Sequence, residues 1–325
     1  MKIRALLSSI LLAAVSASAQ ANPPQSQAPA SGAAAKPQAG TSTQAPAPAQ
    51  PIPMTGGHRV LQAKSQEEMK AYQEAAAKTD PAQAESAAGD FAAKYPDSEL
   101  RASLYVRTMN LYAQANNNDK VIAIGRQAIA ADPMNPVPLV EVASTLAETT
   151  RDTDLDHEQR LAEAARDAHA AIDNLETGLL IPANADPERV AGAKKSILTM
   201  AYDTLGMVDM SRNDYTSAET NLQKAIDETK DNPEAVLYLR LSVAQDKLQQ
   251  YAQALDSANK AVQYAKEGTP VQNLAKQQQE RLQKLIGSGG PAPGAATPMT
   301  SPSQNPFPGA QTNPTPGPPG ANRPR

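Results

Sequence analysis

Apolar residues between positions 60 and 286 recur at intervals of three and four, the spacing that places them on one face of an α-helix. Capping signals mark several helix starts: Ser65 with Glu68 forms a capping box, and elsewhere a capping side chain precedes a proline. Those pairs are Asp80–Pro81, Asp186–Pro187, Asn232–Pro233 and Thr269–Pro270, with Asp132–Pro133 and Asn135–Pro136 crowded into one connection. The pattern predicts eleven helices and no strand, the helices covering 66–78, 81–94, 98–115, 119–131, 137–150, 155–176, 187–211, 214–229, 233–248, 251–266 and 270–286.

Two consecutive segments repeat the same pattern of large and small residues, about one period of ~34 residues apart. The first copy consists of Tyr202, Leu205, Gly206, Tyr215, Ala218, Leu222, Ala225 and Ile226. The second consists of Tyr238, Leu241, Ser242, Tyr251, Ala254, Ala258, Ala261 and Val262. Small residues let the two helices of a hairpin approach, and the large ones fill the gap between them. We therefore expect a stacked array of helical hairpins, with Leu241 in the core and Ala254 where two helices nearly touch.

This pattern resembles the tetratricopeptide repeat (TPR) family. Further residues at family positions are Tyr105, Tyr112, Ala128, Ile129 and Pro133 in one repeat and Ala87 and Phe91 in the first. The first repeat resembles the opening repeat of exported bacterial TPR proteins. The repeat at 136–186 contains an acidic insertion, Arg151 to Asp156. The resemblance implies an all-α, TPR-like α-solenoid of about five helical hairpins. The polar helix from Pro270 is expected to cap it.

The resemblance also implies a binding surface. In this family the first helices of successive hairpins line a concave groove that commonly holds an extended peptide or a helix. The corresponding partner-binding residues here are Asn110, Gln114, Ser144, Glu148, Asp203, Met207, Met210, Leu239, Val243, Asp246 and Lys247. For Met207 and Met210, ordinary packing at helical spacing is an equal alternative. The expected partner is a protein or peptide.

The ends of the chain differ in composition from the array. Residues 1–19 resemble a signal peptide, with Lys2 and Arg4 before an apolar run and a small-residue cleavage site at Ala17 to Ala19. A short membrane anchor is the alternative, but the run is about half of the ~20 residues that a spanning helix needs. Residues 20–59 and 287–325 are Pro-rich and predicted to be disordered, which leaves 60–286 for the array.

The predicted location is outside the cytoplasm, in the periplasm or secreted. The chain contains no Cys, so it has neither a disulfide nor the Cys that a lipoprotein anchor requires. No segment after the signal peptide is expected to span a membrane. The formal charge of −4 and the lack of a basic face argue against nucleic acid as a partner.

No motif predicts catalysis, a cofactor or a metal site. His157 and Glu158 begin a zinc-protease motif, but Leu161 stands where its second His is needed. Asp152, Asp154 and Asp156 alternate as in a calcium loop, without the glycine that such a loop requires. The sequence thus predicts a non-catalytic protein–protein interaction scaffold of the bacterial cell envelope. The alternative is an accessory subunit of an envelope assembly or export machine, and an enzyme is the third possibility.

Overall fold

A computed structural model describes residues 61–181 and 185–288 of the chain. These residues form twelve helices and no strand. The helices are α1 (Gln66–Ala76), α2 (Pro81–Lys94), α3 (Leu100–Gln114), α4 (Asn118–Ala131), α5 (Pro136–Thr149), α6 (His157–Asp173), α7 (Leu175–Gly178), α8 (Pro187–Ser211), α9 (Tyr215–Glu228), α10 (Ala235–Lys247), α11 (Tyr251–Tyr264) and α12 (Pro270–Gly287). The predicted all-α class is confirmed. The predicted signal peptide, the linker 20–59 and nearly all of the Pro-rich tail lie outside the described residues.

The helices pack in adjacent pairs. The pairs are α1 with α2, α3 with α4, α5 with α6, α8 with α9 and α10 with α11, and α12 closes the array against α11 and α10. This arrangement is the predicted α-solenoid of five hairpins and a closing helix. A single hairpin leaves its apolar side uncovered, so each pair depends on its neighbours for burial.

Five of the predicted cap residues begin helices, whereas Asp132, also predicted to start one, instead follows the last residue of α4 as its C-cap. Side chains of Ser65, Asp80, Asp186 and Thr269 each accept a hydrogen bond from a backbone N–H in the first turn of their helix. Asn135 does the same at α5. In each case the side chain satisfies one of the N–H groups that have no partner inside the helix.

The Asn232–Pro233 pair does not start a helix, contrary to the prediction. The backbone N–H of Asn232 donates to the carbonyl of Thr229 at 2.9 Å, so Asn232 still belongs to the turn that follows α9. Helix α10 consequently begins at Ala235. Similarly, α6 begins at His157 instead of position 155, because the His157 N–H closes a turn onto the Asp154 carbonyl at 3.1 Å.

The helix predicted over 155–176 is interrupted at Asn174, which ends α6 and precedes the one-turn helix α7. Here the chain folds against the connection between α4 and α5. The Asn174 side chain donates to the Pro133 carbonyl at 3.3 Å, and a Cβ at Gly178 would lie 1.7 Å from the Met134 carbonyl oxygen. This long-range contact has no local sequence signal, which is why periodicity alone predicts one continuous helix.

The two strongest repeats have the predicted register. Leu241 is buried in the core and Ala254 is fully buried. The Ser242 hydroxyl donates to the Ala254 carbonyl at 2.7 Å, which shows how closely α10 and α11 approach. In the preceding hairpin, a Cβ at Gly206 would lie 2.7 Å from Cγ of the fully buried Leu222. Small residues therefore set the distance between the helices of both hairpins.

The close contact at Gly206 predicts opposite effects for two glycine substitutions in α8. A Cβ at Gly192 would have no atom within 4 Å, so Gly192→Ala should raise the free energy of unfolding by ~0.5–1 kcal/mol through helix propensity alone. Gly206→Ala gains the same contribution but overpacks the contact with Leu222 at a cost of ~1–3 kcal/mol, so we expect net destabilisation. Urea unfolding measures both. Equal effects would contradict the close approach of α8 and α9.

Candidate binding surface

The first helices of the hairpins form a continuous layer. Backbone contacts join α1 to α3, α3 to α5, α5 to α8, α8 to α10 and α10 to α12. In the described part of the chain, successive second helices (α2, α4, α6, α9 and α11) make no comparable contacts. The first helices are therefore the more closely contacting layer of the stack. We name the outer surface of α3, α5, α8 and α10 the A-helix face.

The eleven predicted groove residues lie on these four helices and differ in exposure. Gln114, Glu148 and Lys247 are exposed, and Ser144 is buried. The other seven, Asn110, Asp203, Met207, Met210, Leu239, Val243 and Asp246, are half-buried. On α5 every residue from Pro136 to Ala147 is buried, so Glu148 is the predicted residue of that helix that reaches the surface. Ser144 is not accessible to a partner in this conformation.

Both predicted methionines contribute to packing. Met207 packs against the hydrophobic cluster that includes Leu146 and Leu161 of the third hairpin. Met210 packs against the cluster that includes Leu222 in α9. Both contacts are those of ordinary packing residues at helical spacing, the alternative to a role in binding a partner. Substituting either one would disturb the core as well as the surface.

Leu239 and Val243 differ from the methionines. Both are half-buried, and neither belongs to, or packs against, any hydrophobic core cluster of the described residues. They lie four residues apart on α10, which places them one turn apart on the same side of the helix. Lys247 is exposed one turn further on. We name these three residues the α10 stripe.

Two arginines pair with the predicted groove acids. Arg240 of α10 bonds through Nη1 to Oδ2 of Asp203 in α8, and Arg281 of α12 bonds through Nη2 to Oδ2 of Asp246 in α10. Each pair joins the first helices of neighbouring hairpins. Neither arginine is among the predicted groove residues, although each lies 37 or 35 residues from its acid, close to one repeat period. Opposite charges one period apart are the signal that could have revealed them.

Asp203 is in an unusual environment for a carboxylate. Its side chain is only 14% exposed, and its Oδ1 atom is buried and accepts no hydrogen bond from the residues that the structure describes. Burial raises the pKa of Asp203 above the usual value, Arg240 opposes this increase, and the negative charge of Glu148 on α5 adds to it. Asp203 therefore interacts with charged groups of both neighbouring first helices, Glu148 of α5 and Arg240 of α10.

The residues considered for a metal site are not brought together. In the described ranges, no group of three or more His, Asp or Glu side chains could hold a metal ion. The Asp154 carboxylate instead accepts the Arg151 backbone N–H at 2.8 Å, and Asp152 lies 3.5 Å from Nε2 of His157. None of the helices that the structure describes is both long and apolar enough to cross a membrane.

No protein-family model matches this chain, and no curated protein matches it in sequence.

The burial of Asp203 predicts a graded response to arginine substitutions. Arg240→Met leaves the almost buried Asp203 carboxylate without its cation, so we expect a loss of ~1–3 kcal/mol in the free energy of unfolding. Arg212→Met is the control, because Arg212 pairs with Glu158, whose side chain is 68% exposed, so this pair should contribute only ~0–1 kcal/mol. Urea unfolding of both variants measures the difference.

The pH dependence of Arg240→Met provides a second check. Without Arg240 the pKa of Asp203 should rise further, so the folded state binds a proton more tightly than the unfolded state does. The deficit relative to the wild type should then shrink as the pH falls from about 7 to about 5. A deficit that is independent of pH would show that Asp203 is not the group left uncompensated.

Proposed function

We propose that this chain is a non-catalytic scaffold of the bacterial cell envelope, related to TPR proteins, that holds a partner peptide or helix on the A-helix face. The α10 stripe supports this proposal. Leu239 and Val243 are the two apolar side chains among the predicted groove residues that are half-buried and outside the core clusters of the described residues. A partner would bury the part of each side chain that is still exposed.

The arrangement suits recognition of a protein segment. A pair of apolar side chains one turn apart provides anchor points, which usually supply most of the binding energy at an interface. The charged groups beside them, Lys247 and the pair of Asp246 with Arg281, are placed to set the orientation of the partner and the salt dependence of binding. No step of this proposal requires a cofactor or a reacting group.

The proposed location rests on the sequence. The signal-like residues Lys2, Arg4 and Ala17 to Ala19 imply export, and the absence of Cys implies that the exported chain has no lipid anchor. We place the protein in the periplasm or outside the cell. Its partner is then a protein of the envelope, and the Pro-rich segments before and after the array serve as spacers.

A double substitution on α10 tests the proposal. Leu239→Asp with Val243→Asp places two charges on the α10 stripe, so we expect at least tenfold weaker capture of proteins from an envelope extract, with an unchanged helical circular dichroism spectrum. Met207 is left intact because it packs against the core. Quantitative mass spectrometry of the captured proteins provides the measurement.

The matched control is Met134→Asp with Leu155→Asp, which places the same two charges on exposed apolar residues in connections outside the four helices of the A-helix face. This variant should capture the same proteins as the wild type. If the α10 variant folds and still captures them, the A-helix face is not the binding surface. One stoichiometric partner would indicate a machine subunit, and several weak partners would indicate a general adaptor.

A further inference from the structure

Two ion pairs join the second helices of the first three hairpins. Lys120 of α4 donates through Nζ to both carboxylate oxygens of Glu85 in α2, at 2.7 and 2.9 Å. Arg126, also on α4, donates through Nε and Nη2 to the two carboxylate oxygens of Glu163 in α6, each at 2.7 Å. Helix α4 is therefore bonded to the second helix on each side of it. We name these two ion pairs the second-helix braces.

The second-helix braces cross a gap that the backbones leave open. Successive first helices contact one another, whereas within residues 61–181 the helices α2, α4 and α6 make no comparable backbone contacts with each other. The layer of first helices can therefore act as a hinge about which each hairpin rotates. Apolar packing of α2 on α3 and of α4 on α5 keeps the hairpins attached, so such a rotation changes only the angle between them.

Both braces have the geometry of ion pairs that hold a structure in place. Most exposed ion pairs contribute little, and the exceptions are bidentate Arg–carboxylate pairs and charge networks. Arg126 forms a bidentate pair with Glu163, whose side chain is only 20% exposed. Glu85 belongs to a network, since it also accepts from the Tyr112 hydroxyl, and Lys120 lies 5.7 Å from the centre of the Tyr112 ring.

The braces are nevertheless open to screening by salt, because the side chains of Lys120 and Arg126 are half-exposed. The second helices of the last hairpins have no equivalent. Among the residues that the structure describes, no ion pair joins α6 to α9 or α9 to α11. The two halves of the array thus differ in how their second helices are held.

We propose that the second-helix braces make the angles between the first three hairpins sensitive to ionic strength. With the braces intact, α2, α4 and α6 are held at fixed distances from one another. When salt screens the braces, the hairpins rotate about the first-helix layer, and the curvature of the A-helix face at α3 and α5 changes. The spacing of α9 and α11 depends on no ion pair between them and does not respond. Nothing in this device depends on what binds to the A-helix face.

Spin labels on two exposed alanines measure these angles, since the chain contains no Cys of its own. Ala82→Cys in α2 and Ala162→Cys in α6 place the labels on the two outer helices that the braces connect. Double electron–electron resonance on the full chain gives the distribution of distances between the labels. We expect this distribution to be at least about 1.5 times as wide in ~1 M NaCl, where the screening length is ~3 Å, as in ~0.02 M NaCl.

A second label pair provides the control within the same array. Gln223→Cys in α9 and Gln253→Cys in α11 place labels on exposed positions of the two second helices without a brace. Their distance distribution should be the same at both salt concentrations. Equal broadening of both label pairs would overturn the proposal, because salt would then act on the whole array.

Charge-removing variants assign the effect to the braces. Glu85→Gln with Glu163→Gln should give the wide distribution already at low salt and remove its salt dependence. Glu158→Gln, which removes the partner of Arg212 outside the braces, should keep the wild-type response. Circular dichroism verifies each fold, and Glu163→Gln alone, with an intermediate width, replaces the double variant if that is unstable. A wild-type distribution equally narrow at both salt concentrations, or brace variants that behave like the wild type, would overturn the proposal.

Discussion

The structure depends on the close approach of the two helices in each hairpin, because that approach leaves an apolar side that only the next hairpin can bury. Gly206 against Leu222 and Ser242 against the Ala254 carbonyl show the distances involved. Aromatic residues are few in this chain, so the core is built largely from Ala, Leu, Ile and Val. With side chains this small, burial requires helices that nearly touch, and a single enlarged residue at such a contact pushes the two helices of that hairpin apart.

Stacking also determines which surface is available for binding. The first helices contact one another from α1 to α12 and so form one continuous layer. Their polar side chains contribute to that layer as well as to its surface, since Arg240 and Arg281 each pair with an acid of the preceding first helix. Residues on this face thus help to hold neighbouring hairpins together, and the proposed function gives the face a second role, contact with a partner. Leu239 and Val243 of the α10 stripe lie outside the hydrophobic core clusters of the described residues.

Local patterns in the sequence are sufficient to predict the class of fold, the five hairpins and the closing helix. Periodicity, proline and capping residues act within one turn of a helix, so their effects can be inferred from neighbouring positions in the chain. The exceptions are set by distant contacts. Helix α6 ends at Asn174 because Asn174 and Gly178 contact Pro133 and Met134 in the connection between α4 and α5. Neighbouring positions in the sequence give no signal for this long-range contact.

The candidate site is less predictable for the same reason. Register alone places Met207, Leu239 and Asp203 on the first helices, and it gives them equivalent roles. Their actual differences arise between helices: Met207 packs onto the third hairpin, Asp203 pairs with an arginine 37 residues later, and Leu239 has neither contact. A sequence pattern predicts which side of a helix a residue occupies, whereas its partners across the stack depend on the packed structure.

Photocrosslinking in intact producing cells tests the central claim, that the α10 stripe contacts a partner, most directly. A photoreactive amino acid replaces Leu239 in one version of the protein and the fully exposed Leu155 in another. We expect irradiation to yield a discrete adduct with another protein from position 239 and none from position 155. Adducts from position 155 alone, or from neither position while both proteins are folded and exported, would contradict it.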